Sequence, residues 1–263
     1  MLGPGWAVLA GALASGGFRF EAEVLFKVGL LWLLADPILG TVWHLLTDCG
    51  LWRQLTQTRP PEAKPLRPLF PYVAKDSAGY RLLVFTAHLR ALENGQGYTL
   101  LIALFLAVLL TIILGQPVVL FTLTSILVAF GLGDRVQGRG LLQSLATFLF
   151  PYLTALRVMD ALSPEALVLG WVYWVVQLGL LRLLAGKMGG GWLVIGGQGV
   201  AAGLLFGLKM PLAATVLTLS TLFSLLLRLQ AKAQNTRPEL YAVHLKPYLL
   251  VGLFVVAVSL GAR

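Results

Sequence analysis

Apolar residues fall along this chain in long blocks, at about 4–18, 24–48, 98–115, 117–133, 141–159, 165–185, 191–208, 210–228 and 245–262, separated by polar or glycine-rich breaks. A helix that crosses a bilayer needs about 20 mostly apolar residues, each rising about 1.5 Å, to span roughly 30 Å of hydrocarbon. The pattern predicts an all-α, polytopic transmembrane helical bundle of about nine spanning helices, forming a single membrane domain over 1–263. The first block is short for a full crossing. Several links are tight turns such as Gly115-Gln116-Pro117, where proline opens the next helix.

One connection is long, at about 49–97. It begins RPPEAKPLRPLFPY, whose prolines favour an extended path over helix. Asp76 and Ser77 then offer N-cap chemistry, and Leu82, Phe85, Leu89 and Leu92 recur at helical spacing until Asn94-Gly95. A surface helix over 77–93, lying on the cytoplasmic face of the membrane or lidding the bundle, is the expectation. In the seventh block Gly199, Gly203 and Gly207 repeat every four residues, a spacing that predicts close approach of a neighbouring helix on that face. Trp6, Trp52 and Trp192 fall near block ends, where interfacial rings sit, while Trp32, Trp43, Trp171 and Trp174 are expected in packing positions.

Composition strengthens the membrane reading. Hydrophobic residues make up 58% of the chain and charged residues 12%, and the mean hydropathy is +0.84, against the roughly 25% charged content of soluble domains. The single cysteine, Cys49, has no internal disulfide partner, and no Cys/His group has zinc-ligand spacing. No Lys or Arg precedes the first block, so it is read as a membrane segment rather than a secretory signal. The net charge of +9 does not point to nucleic acid, because the basic residues lie between apolar blocks rather than among aromatics on one soluble surface.

Their distribution sets an orientation. Assigning the breaks alternately to two sides places fifteen Lys and Arg on one side and five (Arg19, Lys27, Arg157, Lys209 and Arg263) on the other. Because cytoplasmic loops carry the excess of Lys and Arg, nine crossings put the N-terminus in the cytoplasm and the C-terminus outside, in a membrane expected to be a bacterial inner membrane.

Ionisable side chains within a spanning block are costly, so the second block, VLFKVGLLWLLADPILGTVWHLLTD, is the first place to seek chemistry. Asp36, Gly40, His44 and Asp48 are spaced four apart and share a helix face. One reading makes them the polar lining of a cavity for a cation, a metal-held diphosphate or a porphyrin metal on His44. The other makes Asp36 the N-cap and Pro37 the first residue of a broken helix, with His44 bonded to a neighbour and Asp48 at the aqueous end. In GLGDRVQGRG, Arg135 and Arg139 stand four apart beside glycines; they are candidates for phosphate binding, but the orientation rule alone accounts for them and is the favoured reading. His88 and His244 lie in or beside cytoplasmic loops with no acidic partner at ligand spacing.

Nine helices, a short first hairpin, a substantial cytoplasmic loop after the second helix and the ending YAVHLKPYLLVGLFVVAVSLG resemble the UbiA-type membrane prenyltransferase superfamily. That resemblance implies an isoprenoid diphosphate bound through magnesium, held by aspartate-rich motifs at the end of the second helix and after the sixth. Paired carboxylates would hold the ions that stabilise the leaving diphosphate. Here the first motif is represented by Asp36 and Asp48, and the turn after the sixth block, LAGKMGGGW, has Lys187 and no carboxylate. The resemblance therefore implies a UbiA-like protein with an isoprenoid or lipid cavity, a divergent or catalytically degenerate prenyltransferase, with magnesium only if transfer is retained. Its expected partners are membrane lipid or isoprenoid and other membrane subunits. The alternative is a non-enzymatic structural or pigment-binding subunit of a larger membrane complex.

Overall fold

A computed structural model of the protein describes residues 3–48, 95–132 and 139–263. The described residues are all helical or turn, with no strand. The expected surface helix at 77–93, with His88, and the Arg135 turn lie outside them. Nine helical rods follow in order. These are α1 (Pro4–Ala14), α2 (22–48), α3 (Gln96–Leu114), α4 (Gln116–Leu132), α5 (139–158), α6 (Pro164–Leu184), α7 (Gly190–Gly207), α8 (Pro211–Ala233) and α9 (Pro238–Gly261).

Seven rods, α2, α3 and α5–α9, are long and apolar enough to cross a membrane; α1 and α4 are shorter apolar helices. Large apolar side chains cover their outer faces, Ile112 being 73% and Leu120 75% exposed, as a surface solvated by lipid rather than water allows.

The turns explain why the rods end where they do. After α5, α6, α7 and α8, the residues Asp160, Gly186, Lys209 and Asn235 take the left-handed conformation. The following amide in each case reaches back five residues: Ala161 to Leu156, Lys187 to Arg182, Met210 to Leu205 and Thr236 to Ala231, at 2.8–3.0 Å. This closure satisfies carbonyls that the helix end would leave open. Prolines then open α6, α8 and α9, and the Ser163 hydroxyl accepts the Ala166 amide at 3.1 Å as the cap of α6. The last helix begins at Pro238 rather than near 245, so His244 and Lys246 lie within α9.

Two apolar cores meet along α1 and α5. One gathers α1, α5 and α6–α9, with Tyr173, Leu180, Tyr241 and Leu249 among its members. The other gathers α1, α2, α3 and α4, with Leu34, Val42, Ala107 and Phe121. Helix α1 serves both: Ala7, Ala10 and Ala14 face the first core, Val8 and Ala12 the second. Its small side chains permit this position. Gly11 lies against the Tyr152 carbonyl of α5, where a methyl group would come 2.5 Å from that oxygen. At 11 residues, α1 is about 16 Å long and covers about half the hydrocarbon depth. The helix ends at Ala14, short of the 4–18 block read from the sequence.

The glycine expectation in α7 is also reversed. Gly199, Gly203 and Gly207 face outward, and among the described residues no atom lies within 4 Å of the space a side chain would take. The close contact is made by Gly190 and Gly197 on the other face. Gly190 meets the Gly179 carbonyl of α6, and a methyl group at Gly197 would lie 2.6 Å from Val176. A four-residue spacing identifies a face but not its direction, because packed and lipid-facing surfaces are both apolar here.

Polar side chains knit α7, α8 and α9 together. The fully buried Gln198 donates to Ser220 Oγ at 3.3 Å and accepts from Ser224 Oγ at 3.0 Å, Ser220 donates to the Tyr248 carbonyl, and Tyr241 donates to the Ser224 carbonyl. Gln198→Leu is expected to cost only about 1 kcal/mol in a thermal unfolding assay. Both serines keep backbone acceptors, Tyr248 and Ser220, and hydrogen bonds between membrane helices average about 0.6 kcal/mol.

Candidate functional site

Helix α2 carries the polar stripe, and its backbone is unusual there. Ordinary helix over Ala22–Leu33 widens into a π-helical turn at Leu34–Ile38, narrows over Leu39–Trp43 and widens again at His44–Asp48. The first wide turn contains Pro37. Proline has no N–H to give and its ring crowds the carbonyl one turn back; the wide turn makes room, and the Thr41 hydroxyl donates to the Pro37 carbonyl at 2.6 Å. The helix therefore does not break at Asp36-Pro37, and Asp36 caps no following helix, which corrects the capped-kink reading. Single π-turns of this sort are frequent at functional sites.

Asp36 instead faces another helix. It is half-buried, and a methyl group on Gly3, the residue before α1, would stand 2.7 Å from its Oδ1. One turn earlier on α2, the Trp32 indole occupies the space in front of Gly5. The Asp36 carboxyl thus sits at the positive end of α1, where the first amides lack helical acceptors. Trp32 is 41% and Trp171 50% exposed, so neither holds the fully packed place expected of it. Asp36→Leu is expected to destabilise the protein by about 1 kcal/mol, with Asp36→Asn milder, because helix-terminus interactions are worth about 0.3–2 kcal/mol. Thermal unfolding of the two variants measures this; equal losses would remove the helix-end role of the carboxyl.

Gly40 is half-buried, and among the described residues no atom lies within 4 Å of its side-chain position, so open space fronts the middle of the stripe. His44 follows, exposed on the same helix. Eight residues at about 1.5 Å each separate Asp36 from His44 by about 12 Å along the axis, too far for a single coordination sphere. The side chains of Asp48 and Arg139 are outside the described residues, as is all of Arg135. Among the described residues, no three His, Cys, Asp or Glu side chains come together in a metal-holding group.

Sequence reasoning missed a polar seam where α5 meets α6. A third π-turn, Leu145–Leu149, interrupts α5 there. Around it Trp174 Nε1 donates to Ser144 Oγ at 2.9 Å and the buried Gln177 donates to Thr147 Oγ1 at 3.5 Å. Gln177 in the middle of an apolar block was the available signal. An apolar groove of about 450 Å³ lies on the far side of α5, between α4 and α6, lined by Leu120, Phe121, Phe150 and Leu153 with Arg157.

No protein-family model, no curated protein and no solved structure matches the chain.

Proposed function

We propose that this chain is a UbiA-like membrane protein that holds an isoprenoid or another lipid beside the polar stripe of α2, as a divergent or catalytically degenerate prenyltransferase. The observation that carries the proposal is the open space at Gly40, between the half-buried Asp36 and the exposed His44, on a helix widened at both ends of the stripe. An apolar chain lying along this face would leave the few polar groups of the stripe to orient its head. Support for the UbiA likeness comes from the helix pattern and the long connection after the second helix. The orientation we propose puts the fifteen-cation side in the cytoplasm of a bacterial inner membrane, and it does not depend on α1, which carries no Lys or Arg.

The described residues do not fit a paired-aspartate magnesium centre. Among them Asp36 belongs to no group of three metal-ligating side chains, and the α6–α7 turn supplies Lys187 instead of an acid. Lipid binding, rather than magnesium-dependent transfer, is accordingly the function we assign to the stripe.

The double substitution Asp36→Asn, Asp48→Asn tests this. Membranes containing the variant should retain the bound lipid and show the same prenyl-transfer activity, if any, as wild type. Loss of a magnesium-dependent transfer with unchanged expression would establish a catalytic metal centre and contradict the assignment.

A further inference from the structure

We propose that a second site, separate from the α2 stripe, binds the phosphate-bearing headgroup of an anionic membrane lipid in the pocket between the α6–α7 and α8–α9 turns. This pocket encloses about 750 Å³, within the range of about 300–1,000 Å³ common for small-molecule sites. Three cations line it. Arg228 and Lys232 are one turn apart on α8, and Arg237 comes from the turn that leads into α9. Among the described residues no carboxylate forms an ion pair with any of the three; Glu239, in the first turn of α9, makes none.

Arg228 is held ready for an anion. Its guanidinium stacks on the Trp192 ring at 4.4 Å and donates one N–H to the Met188 carbonyl at 3.0 Å. The missing side chain of Gly191 leaves the space that the guanidinium fills, next to Tyr241. A guanidinium fixed in this way by one of its five donors keeps the others for a phosphate oxygen, with little ordering left to do on binding.

The other walls say where the phosphate comes from. Leu225 and Leu229 continue the lining along α8, and Leu229, like Trp192, is exposed on the outer, lipid-facing side of the bundle. A charged mouth at the helix ends above an apolar wall open to the bilayer matches a lipid: headgroup on the cations, acyl chains along the leucines, with the indole at the interface. In the orientation proposed above, the pocket faces the leaflet rich in anionic headgroups.

The experiment uses lipid-stripped full-length protein in a neutral detergent. Thermal stability is titrated with phosphatidylglycerol, phosphatidylcholine and inorganic phosphate, for wild type and for the Lys232→Gln, Arg237→Gln variant. Both substituted residues are exposed, so the variant should stay monodisperse with an unchanged unfolding temperature before lipid is added. Phosphatidylglycerol should stabilise wild type at about 30-fold lower concentration than the variant, since each interfacial cation contributes roughly one kcal/mol, and phosphatidylcholine should do little. Equal protection by phosphatidylcholine, or an unchanged response in the variant, would overturn the site. Protection by inorganic phosphate in place of the lipid would overturn the assignment of its source.

Discussion

Gly190→Leu should unseat α7 from α6 and cost more stability than substitution at either Gln198 or Asp36. A side chain at 190 runs into the Gly179 carbonyl and comes within 2.9 Å of the Leu183 amide nitrogen. Overfilling a packed core costs about 1–3 kcal/mol where side chains can rotate away. Here the obstacle is backbone, which moves only if the whole helix moves, so a loss of about 3 kcal/mol or more is expected. Gly179→Leu should match it, because a methyl group there would stand 2.7 Å from the Gly190 carbonyl. Gly203→Leu, on the opposite face with no atom of the described residues within 4 Å, should change stability by no more than about 0.5 kcal/mol. Thermal unfolding in one detergent ranks the three variants. If Gly203→Leu fell with the other two, the packing face of α7 would be wrongly assigned.

Gly40→Trp should abolish lipid retention at the α2 stripe while leaving the bundle folded. Among the described residues no atom stands within 4 Å of a Cβ at Gly40, so a side chain can begin there without a clash, and an indole would take the space that the proposed ligand needs. Retained isoprenoid or lipid, measured by mass spectrometry after purification, should fall at least about tenfold, a loss of about 1.4 kcal/mol in affinity. The unfolding temperature should stay near that of the lipid-free wild type. A variant that folds and still carries the full complement of lipid would place the ligand elsewhere, the groove of α4, α5 and α6 being the next candidate.

Element positions were readable from the sequence because burial in lipid demands long apolar runs, and each of the nine blocks overlaps one of the nine helical rods of the described residues, though the first and last differ in their bounds by several residues. Facing was not readable. In a soluble bundle a polar stripe marks the outside of each helix; α7 has apolar or glycine residues on both sides, so Gly199 and Gly203 looked like packing positions while Gly190 and Gly197 held that role. The N-terminal helix illustrates a second limit. Its apolar run continues to about residue 18, but Gly16 turns the chain at a positive φ against Gly261 of α9, and that contact exists only in the fold.

The candidate site divides in the same way. Asp36, Gly40 and His44 stood out because ionisable groups are rare inside apolar blocks, and the structure does keep them along one helix. The partner of Asp36 was hidden, since nothing in the pattern ties residue 36 to Gly3 or Trp32 to Gly5. Pro37 advertised a break, and the backbone answered with a wider turn instead. The basic pocket was hidden as well: Arg228, Lys232 and Arg237 read as orientation charges until Trp192 and Met188 from the preceding hairpin closed over them.

The decisive measurement for lipid binding at the α2 stripe is extraction of the protein from its native membrane in mild detergent, followed by mass spectrometry of every lipid, pigment and polypeptide that travels with it. The chain should carry isoprenoid or a related lipid at near-stoichiometric amount, with no chlorophyll-type pigment. A pigment, or a constant set of partner subunits without any isoprenoid, would contradict lipid binding and make the α2 stripe part of a structural subunit.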